Sequence, residues 1–122
     1  MSALIVDDEP DSLDLLRIVL EDAGARVSAV SSAREALQAD GPFDIVISDI
    51  GMPEMDGYSF IRNLRARGSA ADVPAIALTA YARGEDAERA HEAGYQVHLA
   101  KPIDAEKLVD AVRSWTGTRG AE

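Results

Sequence analysis

The feature that most constrains this chain is an apolar run of strand type, residues 43–50, in which Asp49 places a carboxylate where the run ends. Gly51 and Pro53 follow within four residues, and both residue types favour a turn. Burying a carboxylate costs free energy unless a partner compensates it, so this acid does not serve packing. We therefore interpret Asp49 as the candidate reactive residue.

Strand-type and helix-type segments alternate along the chain. Short apolar runs bounded by turn residues indicate strands, and apolar residues spaced three and four apart indicate helices. This alternation favours an α/β architecture, in which helices cover both faces of a parallel sheet. The sequence predicts strands at residues 4–6, 26–30, 43–49, 74–78 and 96–100, and helices at about 11–23, 33–40, 57–67, 84–93 and 105–116.

Capping residues mark several helix ends. Ser32 and Glu35 have the spacing of a capping box, which predicts the start of the second helix. Asp104 is placed to cap the last helix. Gly24 and Gly94 each follow a predicted helix, as C-terminal glycines commonly do.

Length and composition fit one domain. The 122 residues, 47% of them apolar, suit one core, which we assign to residues 1–116 with 117–122 as a flexible tail. The net charge of −10 argues against a nucleic-acid partner, and no apolar run approaches the roughly 20 residues of a membrane span. The start lacks a signal peptide and the chain lacks cysteine, which together predict a cytoplasmic protein.

Polar side chains of special type follow four of the predicted strands. They are Asp7 and Asp8 after the first strand, Asp49 after the third, Thr79 after the fourth and Lys101 after the fifth. Ligands of open parallel sheets bind outside the carboxyl ends of the strands, where the strand order reverses. In the order 2-1-3-4-5 the first and third strands are neighbours, so the three aspartates are expected to converge.

Three converging carboxylates need raised pKa values or a cation. Oxygen ligands without nearby His or Cys suit Mg²⁺. We predict that Asp8 and Asp49 contact the metal directly, that the Gly51 carbonyl is a third ligand and that Asp7 acts through water. The alternative is an acidic loop that holds no ion and only caps the first helix.

Phosphoryl transfer requires neutralised charge and fixed geometry and little other protein chemistry. The ammonium of Lys101 and the hydroxyl of Thr79 are suited to bind phosphoryl oxygens, with Asp49 as the nucleophile. Taken alone, Lys101 is as well explained as a solvated loop lysine and Thr79 as a helix cap. The prediction depends on the whole set.

This set of residues resembles the receiver domain of bacterial two-component response regulators, of the chemotaxis-regulator type. The resemblance covers about residues 3–116 and implies a flavodoxin-like doubly wound sheet of five parallel strands in the order 2-1-3-4-5, with five helices. Its ordered motifs are Asp7-Asp8, Asp49 with Met52-Pro53 and Met55-Asp56-Gly57, Thr79-Ala80, and Lys101-Pro102.

The resemblance implies that Asp49 accepts a phosphoryl group from a histidine of a sensor kinase or of a phosphotransfer protein. Mg²⁺ is then required, with Mn²⁺ able to substitute. Thr79 and the backbone of Ala80 bind the phosphoryl group, and the face of the fourth helix, fifth strand and fifth helix changes shape for an output protein that the sequence does not identify. Such a domain modifies only itself and is not a conventional enzyme. The Lys101-Pro102 bond is expected to be cis.

Five further residues are candidates for switching, rate tuning and docking. His98 stands where the family usually has Tyr or Phe, and we predict that it is the rotameric switch; the alternative is a surface histidine. Gly51 and Tyr81 are predicted to tune the phosphoryl lifetime, unless Tyr81 is ordinary loop packing. Leu15 and Ile18 lie off the core stripe of the first helix and are predicted to dock a kinase, unless a wide stripe buries them.

Two other functions and one wider context remain open. An Mg²⁺-dependent phosphohydrolase of related fold usually carries its nucleophile after the first strand, and a nucleotide or flavin binder needs a Gly-rich or hydroxyl-rich loop there, whereas this chain has acids. The run from His98 to Asp104 is similar to receivers at the ends of hybrid sensor kinases, so the chain is either a stand-alone regulator or one domain of a longer protein.

Overall fold

The computed structural model describes residues 1–67, 72–80 and 84–116, the side chains of 84 and 85 excepted. Strands and helices alternate in this part of the chain, as predicted. The strands are β1 (Ser2–Val6), β2 (Arg26–Val30), β3 (Ile45–Asp49), β4 (Ala75–Thr79) and β5 (Val97–Ala100), and the helices are α1 (Pro10–Asp22), α2 (Ala33–Gln38), α3 (Gly57–Arg65), α4 (Gly84–Ala93) and α5 (Ala105–Trp115).

All strand pairs are parallel, and the sheet order is β2-β1-β3-β4-β5. Because β1 lies beside both β2 and β3, the strand order reverses at β1, as expected. The central strands β3 and β4 are buried along their whole length, which explains their nearly continuous apolar sequences. The edge strand β2 is only half-buried, in agreement with its alternating sequence.

Two apolar layers enclose the sheet. On one face, α1 and α5 bury Leu16, Leu20 and Leu108 against side chains such as Ile5 and Ile47 of the central strands. On the other face, residues of α2, α3 and α4 pack against β1, β3 and β4; they are Ala33, Ala36, Phe60, Ile61, Leu64, Ala90 and Ala93. No helix in the described ranges is long and apolar enough to cross a membrane.

The predicted caps are confirmed, and a few helix and strand ends shift by one or two residues. The Ser32 side chain accepts a hydrogen bond from the Glu35 N–H, and Asp104 caps α5 in the same manner. Gly24 and Gly94 have positive φ values of 95° and 132°, as a glycine after a helix allows. Helix α3 ends at Arg65 rather than at residue 67, and the predicted tail at 117–122 lies outside the described residues.

Gly57 lets α3 begin directly against the loop that follows β3. A Cβ atom on Gly57 would lie 2.6 Å from the Asp49 carbonyl oxygen and 2.7 Å from the Ile50 Cα. The Gly57 N–H donates to the Ile50 carbonyl, and the buried Tyr95 hydroxyl donates to the Gly57 carbonyl at 2.8 Å. This contact fixes the backbone just beyond Asp49 to α3 and to the start of the segment that leads into β5.

We expect Gly57→Ala to lower the free energy of unfolding by about 1–3 kcal/mol, because the added methyl group must displace backbone atoms of Asp49 and Ile50. Gly51→Ala is the matched control, since no atom lies within 4 Å of a Cβ built on Gly51. Urea unfolding of both variants measures the difference. Equal stability of the two variants would contradict the packing argument.

Candidate functional site

The carboxyl ends of β1, β3, β4 and β5 bring the predicted polar residues together. The Lys101 ammonium lies 3.0 Å from the Asp7 carboxylate and 3.4 Å from the Asp49 carboxylate. Thr79 ends β4, and its carbonyl accepts a hydrogen bond from the Lys101 N–H at 2.8 Å. Asp7, Asp49 and Thr79 are buried, so the apolar strand runs deliver these polar groups to a largely enclosed position.

Both carboxylate oxygens of Asp7 accept hydrogen bonds. Oδ1 accepts the Glu9 N–H at 2.9 Å, and Oδ2 accepts the Ser12 hydroxyl at 2.6 Å in addition to its contact with Lys101. Full burial makes these partners necessary, because an unpaired buried carboxylate is costly. That Asp7 acts mainly through water rather than as a direct metal ligand stays a prediction.

The three aspartates are placed to hold a cation. One carboxylate oxygen each of Asp7, Asp8 and Asp49 lie within 4.8 Å of one another, and no His or Cys joins this group. Asp8 is half-buried beside two buried acids. A donor set of carboxylate oxygens at one edge of a sheet fits Mg²⁺, which takes one or two carboxylates and keeps several waters.

The electrostatics at Asp49 favour a compensating cation. Burial raises the pKa of the Asp49 carboxyl, the charge of Lys101 opposes the rise and the charge of Asp7 adds to it. One Asp49 oxygen also accepts the Gly51 N–H at 3.3 Å, which orients the carboxylate. Burial lowers the pKa of Lys101, but the hydrogen bond from Lys101 to Asp7 and the neighbouring charges outweigh it, so this pKa is raised and the ammonium persists.

Four residues of the site were missed in the sequence. Glu9 contacts the Lys101 ammonium at 3.2 Å, and its place directly after Asp7-Asp8 was the one available signal. A cavity of about 340 Å³ around Asp49 is also lined by Tyr58 of α3 and by Asp86 and Arg89 of α4. Nothing in the sequence indicates that these two helices reach the pocket.

The remaining predicted residues are placed as follows. Leu15 and Ile18 are 46% and 57% exposed on α1, so a wide buried stripe does not cover them. Ala80 lines the Asp49 pocket, whereas Tyr81 lies outside the described residues. The Lys101-Pro102 bond is cis.

His98 pairs with Ala77 and lies on the sheet face that α2, α3 and α4 cover. The side chain is half-buried, and its Nε2 atom is buried without a hydrogen-bond partner among the described residues. His98 is therefore partly inward in this one state. Its role as a switch stays a prediction, because that role concerns a change between two states.

Comparison with known proteins identifies the family. The model of the response regulator receiver domain matches residues 3–113. The chain belongs to this family. The sheet order and the five helices are accordingly those of the flavodoxin-like receiver fold, as the resemblance implied.

Relatives of two kinds share this domain. An uncharacterized 14.6 kDa protein of Leptolyngbya boryana is 44% identical over 118 residues, which is 94% of this chain and 89% of that protein. The sensor histidine kinase GacS of Pseudomonas protegens is 39% identical over 119 residues, which is 93% of this chain but only 13% of GacS. The domain therefore occurs both nearly alone and as a small part of a kinase.

A solved receiver domain carries a metal in its own active-site cleft. The receiver domain of the sensor histidine kinase PA1611 from Pseudomonas aeruginosa, solved with a magnesium ion coordinated in its active-site cleft, superposes with a TM-score of 0.86 at 33% identity. The match covers 93% of this chain and 95% of that domain. A similar receiver domain thus binds a magnesium ion in its active-site cleft.

We expect Asp49→Asn to raise the melting temperature at pH 7 in EDTA. A pKa that is higher in the folded protein than in the unfolded chain means that ionised Asp49 disfavours folding. This penalty is present above the folded-state pKa and vanishes below the unfolded value of about 3.9. The difference in melting temperature between variant and wild type should therefore shrink as the pH falls toward that value.

Thermal unfolding at several pH values in EDTA checks this prediction. Asp110→Asn on α5 is the matched control, because Asp110 is exposed and lies outside the site. Added Mg²⁺ should stabilise the wild type more than Asp49→Asn. An Asp49→Asn protein that melts at or below the wild-type temperature in EDTA at pH 7 would contradict the electrostatic account.

Proposed function

We propose that the chain is a phosphorylation-operated switch of a two-component phosphorelay and that Asp49 is the phosphoryl acceptor. The observation that carries the proposal is the Lys101 ammonium 3.4 Å from the Asp49 carboxylate, inside a cluster of acids suited to a divalent cation. A buried carboxylate with a fixed cation beside it is poised to attack a phosphoryl group. The donor is a histidine of a sensor kinase or of a phosphotransfer protein.

The proposed transfer is a single displacement at phosphorus. An Asp49 carboxylate oxygen attacks the phosphorus of phosphohistidine and forms a P–O bond. The P–N bond breaks, and the imidazole nitrogen keeps the electron pair and takes up a proton. The product is an acyl phosphate on Asp49 and a free histidine on the donor.

Each neighbouring residue has a separate task in this step. Lys101 pairs with one phosphoryl oxygen, and the Thr79 hydroxyl and the Ala80 N–H bind others in this proposal. Asp8, Asp49 and the Gly51 carbonyl would hold Mg²⁺, with Asp7 acting through water. The metal would neutralise developing charge on the phosphoryl group. The chain modifies only itself, and its phosphoryl group is later lost to water.

The response to phosphorylation is proposed for the face formed by α4, β5 and α5. Thr79 moves toward the phosphoryl group, and the half-buried His98 follows by changing rotamer. Gly51 leaves one side of Asp49 open to water, which shortens the lifetime of the acyl phosphate, and Tyr81 is proposed to act in the opposite direction. An output protein, not identified, binds the altered face.

The partners follow from the same chemistry. The match to a small part of GacS supports a hybrid kinase as one context, and the match to most of a small protein supports a stand-alone regulator as another. We propose a phosphohistidine donor in both contexts and place this exchange in the cytoplasm. Leu15 and Ile18 form an exposed apolar pair on α1, which is proposed to dock the donor protein.

Intact mass after incubation with acetyl phosphate tests the acceptor and the metal together. We expect the wild type to gain one phosphoryl group in Mg²⁺ and none in EDTA, because the phosphoryl charge is otherwise uncompensated. Asp49→Ala should gain none in either condition. Asp110→Ala is the control for loss of one exposed acid and should behave as the wild type.

Phosphorylation of Asp49→Ala to the wild-type level would contradict the assignment of the acceptor. If the wild type gains no phosphoryl group, the same assay is repeated with a phosphorylated histidine phosphotransfer domain as donor. Failure with both donors would overturn the proposed function.

The docking role of α1 predicts a difference between donors. Leu15→Ser combined with Ile18→Ser should slow transfer from a phosphotransfer domain about tenfold, because a buried apolar anchor typically contributes a kcal/mol or more to an interface. The rate with acetyl phosphate should stay unchanged, since that donor needs no docking surface. Equal rates of protein-to-protein transfer for variant and wild type would rule out docking through this pair.

A further inference from the structure

The cavity around Asp49 is lined by a second positively charged side chain besides Lys101. Arg89 of α4 lines this cavity of about 340 Å³ together with Asp49 and Lys101. Its guanidinium carbon lies 4.2 Å from the centre of the Tyr58 ring, within the range of a cation–π contact. The Tyr58 side chain is buried, with 6% of its surface exposed, whereas Arg89 is exposed. The guanidinium of Arg89 therefore packs on a ring that the core holds in place.

The two cations of the cavity differ in how far acids already neutralise them. Lys101 has three carboxylates within 3.4 Å, those of Asp7, Glu9 and Asp49. Arg89 has no carboxylate within salt-bridge distance in the part of the chain that the structure describes. Among the described residues its charge is therefore the less compensated of the two, and Arg89 is exposed at the lining of the pocket.

This placement matters because the protein repels anions. The net charge is −10, and the pocket itself contains Glu9, Asp49 and Asp86. A phosphoryl donor brings further negative charge to these acids. A cation at the entrance offsets that repulsion and raises the encounter rate, as charged pocket rims do in general.

Arginine suits this position better than lysine does. A guanidinium stacks on an aromatic ring and still presents N–H groups in its own plane, which match phosphate oxygens. Holding it on Tyr58 lowers the entropy cost of the pairing. Asp86, one helical turn before Arg89 on α4, also lines the pocket and limits the net charge of this edge.

We propose that Arg89, seated on the Tyr58 ring, is the recruiting residue for the phosphoryl group of the donor and pairs with it as it enters the Asp49 pocket. The inference rests on the proposed function and adds to it a specificity-determining residue outside the metal cluster. Arg89 acts on donor entry and does not take part in bond making at Asp49.

The test compares phosphorylation rates with acetyl phosphate, an anionic donor, in Mg²⁺ across a range of ionic strength. We expect Arg89→Gln to react about fivefold more slowly than the wild type at low salt. The difference in rate between Arg89→Gln and the wild type should narrow as the salt concentration rises, because salt screens the attraction that only the wild type has. Arg89→Lys should retain most of the rate, since it keeps the charge.

Arg113→Gln is the matched control, because it removes the same charge from an exposed position in the last turn of α5, away from the pocket. Melting temperatures of all variants show whether the loss of the Arg89 contact with Tyr58 destabilises the protein. Such a packing defect would leave the salt dependence of the phosphorylation rate unchanged, whereas loss of recruitment would reduce it. Arg89→Gln rates equal to the wild type at every salt concentration would overturn the recruiting role and leave Asp49 as acceptor. A wild type that gains no phosphoryl group on Asp49 would overturn both proposals.

Discussion

The contact of Lys101 with the buried aspartates is the interaction on which the site depends. Asp7 and Asp49 end neighbouring strands, and without a cation their carboxylates would repel each other in an environment that already disfavours charge. The ammonium, carried by the turn after β5, reaches across β4 to both acids at 3.0 and 3.4 Å. Lys101 thus connects the ends of β1, β3 and β5. Its charge also determines the net charge of the site at which a metal ion or phosphoryl group would bind.

The backbone behind the acids is fixed separately. Gly57 lets α3 start so close to the loop after β3 that a Cβ atom on Gly57 would lie 2.7 Å from the Ile50 Cα. The Tyr95 hydroxyl donates to the Gly57 carbonyl. Tyr95 lies between α4 and β5, so two hydrogen bonds through Gly57 connect the Ile50 carbonyl, next to Asp49, to the elements proposed to respond to phosphorylation. A change at Asp49 therefore has a short structural route toward α4 and β5.

The sequence predicts the fold and the central acids well because both follow from local patterns. Apolar runs place strand ends to within a residue or two, and parallel pairing then brings Asp7, Asp49 and Lys101 to one edge. Arg89 and Tyr58 could not be predicted in this way, because their contact depends on how α3 and α4 are rotated against each other. Exposure of Leu15 was suggested by helical spacing, but only the packing of α1 on the sheet decides it.

The central claim is that the carboxylate of Asp49 becomes an acyl phosphate, and borohydride reduction tests it most directly. Borohydride converts an acyl phosphate into an alcohol, so a phosphorylated aspartate becomes homoserine, which peptide mass mapping locates. We predict homoserine at position 49 after treatment with a phosphoryl donor and Mg²⁺, and unmodified aspartate there in EDTA. Homoserine at Asp8 instead, or a phosphorylated protein that the reductant leaves unchanged, would contradict the account.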